Sequence, residues 1–258
     1  MGNLYTDEQA ATAKFGWGGL SGSTVKMVGI VTMFIDHVGA ALIARILLGG
    51  GYTQELYRFY MVLREIGRLG FPIFCFLLVE GFDKTHSKVK YGIRLGVFAL
   101  ISEIPFDLVF LSRVLEFSYQ NVFFTLLLGF LCLCVFDFLE KKKMPKALTL
   151  VLDLAVLAVF MWTAKFLRSD YGAMGVLAIA VIYMLRRFKA MSMAGGCVIL
   201  CLKNLNELPA FFTLIPIALY NGKRGWKLKY FFYAFYPAHL LLLWLVAQLL
   251  GMGSIPVM

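Results

Sequence analysis

Apolar residues fall in repeated runs of roughly 18 to 22, parted by short polar loops, and runs of that length predict membrane-crossing helices. Nine are predicted, near 25–47, 66–83, 91–112, 120–140, 147–167, 171–186, 191–205, 207–221 and 229–250. The sixth, seventh and eighth are short, so one of them is a candidate for a tilted or re-entrant segment. The fold class expected is all-α, a polytopic membrane helix bundle of eight to ten spans. The loops leave no room for a linker, so residues 1–258 read as a single integral membrane domain. Residues 1–23 form a mixed, glycine-rich tail with Asp7, Glu8 and Lys14, unlike a cleaved signal peptide. Ser23 or Thr24 is placed to cap the first helix.

Composition strengthens this reading. Hydrophobic residues make up 60% of the chain and charged residues 16%, against about 25% charge in soluble domains. Mean hydropathy is +0.79. The net charge of +10 is a topology signal, because the basic residues gather in alternate loops. One group holds Lys84, Lys88, Lys90 and Arg94, and the next Lys141, Lys142, Lys143 and Lys146. A third holds Arg186, Arg187 and Lys189, and the last Lys223, Arg224, Lys227 and Lys229. The bias predicts a cytoplasmic N-terminus and an exterior C-terminus, and it gives no support to nucleic-acid binding. The five cysteines lie in apolar stretches without metal-ligand spacing, so neither zinc nor a disulfide framework is indicated.

Against this apolar background a few ionisable residues stand out, because charge inside a span is costly and marks working sites or buried partners. Asp36 and His37 lie near the middle of the first span. Converted to depth by helix rise, His37, Glu103 and His239 lie near one plane, on three separate helices. Glu80 sits nearer the cytoplasmic end of the second span, and Asp107 lies roughly 6 Å outward of Glu103. Asp36 and His37 are about 100° apart around the helix, so they do not face each other. Asp36 is expected to pair with an arginine from another helix, Arg68 or Arg94, and Glu103 is the first choice to orient His37. Gly29, Gly39, Ala40, Ala41 and Ala44 leave room for close helix packing on span one.

Several of these residues sit in segments that resemble the TraX family of integral membrane proteins. The resemblance covers nearly the whole chain. It rests on Ile35-Asp36-His37-Val38-Gly39, on the run from Ile66-Gly67-Arg68 through Val79-Glu80-Gly81, and on Ser102-Glu103-Ile104-Pro105-Phe106-Asp107. Further matches are Asn121-Val122-Phe123-Phe124-Thr125, Asp170-Tyr171-Gly172, Tyr220-Asn221-Gly222-Lys223-Arg224-Gly225 and Phe235-Tyr236-Pro237-Ala238-His239. The resemblance implies a multi-pass protein of the bacterial cytoplasmic membrane. It also implies kinship with acyltransferase-3 and heparan-glucosaminide acetyltransferase-like proteins. In such proteins an acyl thioester, here acetyl-CoA or another acyl-CoA, binds from the cytoplasm, and the acceptor lies in or beyond the membrane. Pilin N-acetylation, a peptide or a glycan are the acceptors implied.

The residues suit that chemistry, since acyl transfer needs the acceptor proton removed as the new bond forms, and histidine fits the task. His37 is the candidate general base or transient acyl carrier, with Asp36 and Glu103 as orienting groups and His239 as a second proton-transfer group. Arg68 or Asn121 is a candidate oxyanion donor, and Glu80 and Asp107 are further candidates for the substrate site. Arg94, Tyr220, Asn221, Lys223 and Arg224 are candidates for the coenzyme A phosphates at the cytoplasmic mouth. Two other classes stay open: a proton-coupled transporter, and a non-catalytic membrane factor for assembly of a surface appendage.

Overall fold

The computed structural model describes residues 19–227 and 229–257. Most of the N-terminal tail, with Asp7, Glu8 and Lys14, lies outside the described residues. In chain order the helices are α1 (Gly22–Leu48), α2 (Gln54–Gly67), α3 (Gly70–Lys84), α4 (Lys88–Phe110), α5 (Val122–Lys141), α6 (Lys146–Phe166), α7 (Gly172–Met184) and α8 (Lys189–Lys203). A 3-10 stretch, Leu205–Thr213, then runs into α9 (Leu214–Ala218), and α10 (Lys229–Leu249) follows. Among the described residues the only β-type pairings are two isolated bridges, Leu20 with Tyr220 and Gln120 with Ser169. The expected all-α class holds.

α1, α5, α6 and the Tyr230–Leu249 part of α10 are long and apolar enough to cross a membrane, which makes the chain a membrane protein. α6 illustrates the lipid-facing habit: Val151, Leu154, Val159 and Trp162 are exposed, while Leu157 and Ala164 face the bundle. α7 is apolar all round and sits in the centre, with Val176, Ala178, Ile179 and Ile182 almost fully buried. Its approach to α5 depends on Gly129, where an added Cβ would lie 2.4 Å from Ile179 Cδ1.

The small residues of α1 do what their size allows. Gly29 packs on Ile73 and Phe74 of α3, and Gly39 packs on Leu63 of α2. α2 and α3 therefore run back along α1 as one broken path. α2 was not expected. Its residues alternate charge and aromatics and bury only Gly67, so hydropathy alone does not reveal it. The 207–221 run is also not one helix, because Pro209 and Pro216 lie within it and a 3-10 stretch replaces the α-helix in its first part. α1 is capped by Ser21, which accepts from Thr24 N, in place of Ser23 or Thr24.

Ion pairs and backbone bonds define the two ends of the bundle. At one end the four basic groups meet: Lys88 bonds Asp137 at 2.7 Å, Arg186 bonds Asp83 at 3.4 Å, and Lys84 donates to the Gly222 carbonyl at 2.8 Å. The start of the described chain is stitched there too, by Leu20 N to Leu219 O and Gly22 N to Lys223 O. At the opposite end Val257 N donates to Phe110 O. There the fully buried Arg45 gathers the carbonyls of Ala41, Val109 and Met252.

Candidate functional site

Asp36 and His37 point to different partners, as their angular separation requires. His37 faces α10, and its Nδ1 lies 2.7 Å from His239 Nε2. The two rings are parallel within 3°, with centroids 5.0 Å apart. His239 Nδ1 in turn lies 2.7 Å from the Phe235 carbonyl oxygen, one helical turn back. Aromatic rings close around the pair: Phe110 and Tyr236 stand edge-on to His37, and Phe235 stacks on His239. Immediately after His37, α1 opens into a π-helical turn at Gly39–Ile43, a feature often found beside functional sites.

Glu103 is not the partner of His37. It is buried against the N-terminus of α5, where it accepts from the side chain and backbone N–H of Asn121. Asn121 also donates to the Ala99 carbonyl and caps α5 through Phe123 N. The depth estimate placed Glu103 in the right layer, but depth carries no information on azimuth. Asp107, one turn on, likewise serves the fold, accepting from Glu116 N at 2.7 Å in the loop after α4. In that loop the Arg113 guanidinium holds the Glu116 carboxyl below its ordinary value.

Asp36 pairs with Arg64 of α2 at 2.8 Å, in place of Arg68 or Arg94. The fit is tight enough that a Cβ at residue 67 would lie 2.1 Å from Asp36 Oδ1, so only glycine suits that position. Arg68 instead bonds Glu207 at 2.8 Å, and Lys203 lies over the Tyr171 ring nearby. Tyr171 holds a left-handed backbone (φ 62°) between Asp170 and Gly172 and stacks on Phe71 at 3.6 Å. Both groups considered for an oxyanion, Arg68 and Asn121, thus have partners within the fold. The carboxylates Asp36 and Glu207 are matched by Arg64 and Arg68 at this end.

The basic end is different. A cavity of about 500 Å³ opens there, lined by Lys26, Lys84, Lys90, Arg94 and Arg224 together with His86, Tyr220 and Trp226. Among the described residues lining it, Glu80 is the acidic one, bonded to Lys84 at 2.6 Å and to the Tyr220 hydroxyl. Asn221 and Lys223 do not line it. The Asn221 side chain bonds Gly19 O and Lys223 N, shaping the rim from behind. Arg94 lies over the Tyr91 ring, 5.5 Å from its centroid. Lys26, Lys84 and Lys90 come with no motif, and only their shared end could have signalled them.

The cavity continues inward. Lys26, Leu77, Tyr91, Phe232 and Tyr233 also line a second, apolar space of about 90 Å³, whose walls include Phe74, Leu95, Phe123 and Leu126. Its inner residues are Met33, one turn before His37, and Tyr236, whose ring centroid is 5.9 Å from that of His37. Fifteen residues of α1 separate Gly22 from His37, a depth of about 22 Å. A cation-lined mouth therefore adjoins an apolar space whose inner residues, Met33 and Tyr236, are neighbours of the paired histidines, although neither histidine lines that space.

Comparison with known proteins places the chain. The probable fimbrial assembly protein FimC, serogroup H1, of Dichelobacter nodosus is 30% identical over 246 residues, covering 85% of this chain and 92% of that protein. The uncharacterized protein RP591 of Rickettsia prowazekii (strain Madrid E) is 22% identical over 199 residues, covering 76% of this chain and 68% of that protein. No solved structure matches. The sequence model of the TraX protein family matches residues 21–247, and the chain belongs to that family.

Proposed function

We propose that this chain is a membrane protein of surface-appendage assembly whose contribution is acyl transfer from a coenzyme A thioester. The assembly role is supported by the D. nodosus relative, named a probable fimbrial assembly protein. The acyl-transfer chemistry is supported by one observation, a path formed by the cation-lined mouth and the adjoining apolar space, whose inner residues Met33 and Tyr236 neighbour the His37–His239 pair. A ligand with an anionic head and a long, narrow, mostly neutral arm fits such a path. Lys26, Lys84, Lys90, Arg94 and Arg224 would hold the phosphates by charge-assisted bonds, and the apolar walls would hold the arm. The thioester carbonyl would then lie at the histidine pair, where a neutral imidazole takes the acceptor proton.

The positive-inside rule assigns the basic end to the cytoplasm, where coenzyme A thioesters are made. The described chain starts at that end and finishes at the other, as an odd number of crossings requires, and nine is the count proposed. The acceptor would approach from the opposite end or from within the bundle.

The test is label transfer from radiolabelled acetyl-CoA in membrane vesicles carrying the protein. The wild type is expected to pass label to membrane material and His37→Ala is not, at equal abundance and equal elution by size exclusion. Equal transfer by both would reject the reading. The second reading, a non-catalytic assembly factor, rests on the same relative's name. It is favoured if His37→Ala supports appendage assembly as well as the wild type.

A further inference from the structure

We infer that the proton-accepting atom of the site is Nε2 of His37, and that His239 is a positioning residue which fixes this by locking the tautomer of its neighbour. The inference rests on the acyl-transfer reading for its chemistry, but the tautomer follows from the hydrogen-bond chain alone. A backbone carbonyl can only accept, so at 2.7 Å from Phe235 O the Nδ1 of His239 carries the hydrogen. A neutral imidazole bears one hydrogen, so His239 Nε2 is a bare acceptor. It lies 2.7 Å from His37 Nδ1, which must then be the donor. His37 in turn has its hydrogen on Nδ1, and its lone pair is on Nε2. That nitrogen has no hydrogen-bond partner among the described residues.

The order of the chain is set by the helix. Phe235 and His239 are four residues apart on α10, so the carbonyl reaches the imidazole of the next turn. The rings are held in line by stacked Phe235 on one side and by edge-on Phe110 and Tyr236 on the other. Such a neighbour does for a basic histidine what an outer-shell acceptor does for a metal-bound one: it fixes the ring and raises the basicity of the far nitrogen.

The step balances without a further reactant. As the acceptor nitrogen or oxygen bonds to the thioester carbonyl carbon, its proton passes to His37 Nε2, giving an imidazolium whose Nδ1–H remains bonded to His239. When the tetrahedral intermediate collapses, the carbon–sulfur bond breaks and the departing sulfur takes the proton from Nε2. His37 returns to its starting tautomer. His239 neither gains nor loses a proton and touches no substrate.

The chain has three histidines, so ¹⁵N-histidine labelling gives a spectrum of three rings. The expected result at neutral pH is a bare Nε2 and a protonated Nδ1 on His37, with His239 in the same tautomer. A protonated Nε2 on His37 would overturn the assignment. The activity arm uses radiolabelled acetyl-CoA as the probe. His239→Ala is expected to lower transfer at least 100-fold, while His239→Gln, whose side-chain oxygen can accept from Nδ1, stays within about tenfold of the wild type. Equal loss in both variants, or near-normal transfer in His239→Ala, would overturn the positioning role. Absence of transfer in the wild type would fell the acyl-transfer reading and the base with it, whereas a reversed tautomer would fell this assignment alone.

Discussion

The two ends of the bundle use charge in opposite ways. At the far end each notable cation has its match inside the fold: Arg64 with Asp36, Arg68 with Glu207, and Arg45 with three carbonyls. At the basic end Lys26, Lys84, Lys90, Arg94 and Arg224 surround an open cavity whose lining offers them Glu80 alone as a carboxylate among the described residues. Matched charge in a packed site holds helices together, and leaving one member alone is costly. Excess charge around open volume is suited to an anionic ligand. The lesson is that an intramembrane ion pair and a basic mouth look alike in sequence but have different work to do. Asp36 and His37, adjacent in the chain, take different partners, the Arg64 guanidinium for one and the His239 imidazole for the other.

The comparison can be broken at several points. The largest effect is expected from His37→Ala, which should lower acyl transfer by about 10²–10⁴-fold with little change in thermal unfolding in detergent. Next come changes in the matched region. Gly67→Ala drives a methyl into the Asp36 carboxylate, and Arg64→Ala leaves that carboxylate unpaired. Each should cost about 3 kcal/mol, read as a lower unfolding midpoint. If Gly67→Ala unfolds like the wild type, the tight α1–α2 contact is wrong.

Smaller effects belong to the mouth. Arg224→Ala or Lys90→Ala should change stability by no more than about 0.5 kcal/mol, yet raise the KM for acetyl-CoA about tenfold. A stability loss without a KM change would place these residues among the matched charges. The mildest expectation concerns salt: raising ionic strength from about 0.05 to 0.3 M should raise the same KM severalfold, since the rim cations are exposed to screening.

Much of this layout was legible in the sequence. The convergence of the four basic loops on one end follows from their alternation, and pairs such as Lys88 with Asp137 bear it out. Equal depth puts His37, Glu103 and His239 in one layer, but Glu103 was the partner expected for His37, whereas the partner is His239. Pairing was not legible, because helix rise fixes height and leaves azimuth and neighbour identity open. Glu103 therefore went to Asn121, and Asp36 to Arg64 on a helix whose polar residues concealed it. Arg45 belongs to none of the basic loop groups, and nothing in its sequence setting marks it as buried. Its burial depends on carbonyls at the π-helical turn, at the end of α4 and just after α10, which no side-chain pattern encodes.

The central claim, that a thioester enters at the basic mouth and reaches the histidine pair, can be tested by mapping where its acyl end comes to rest. An acetyl-CoA analogue carrying a small photoreactive group in place of the acetyl would be crosslinked to the purified protein and the adducts located by mass spectrometry. Adducts on Met33, Phe123 or Tyr236 that disappear with excess coenzyme A are the expected result. Adducts confined to lipid-facing positions such as Val151 or Trp162, unaffected by coenzyme A, would contradict the account.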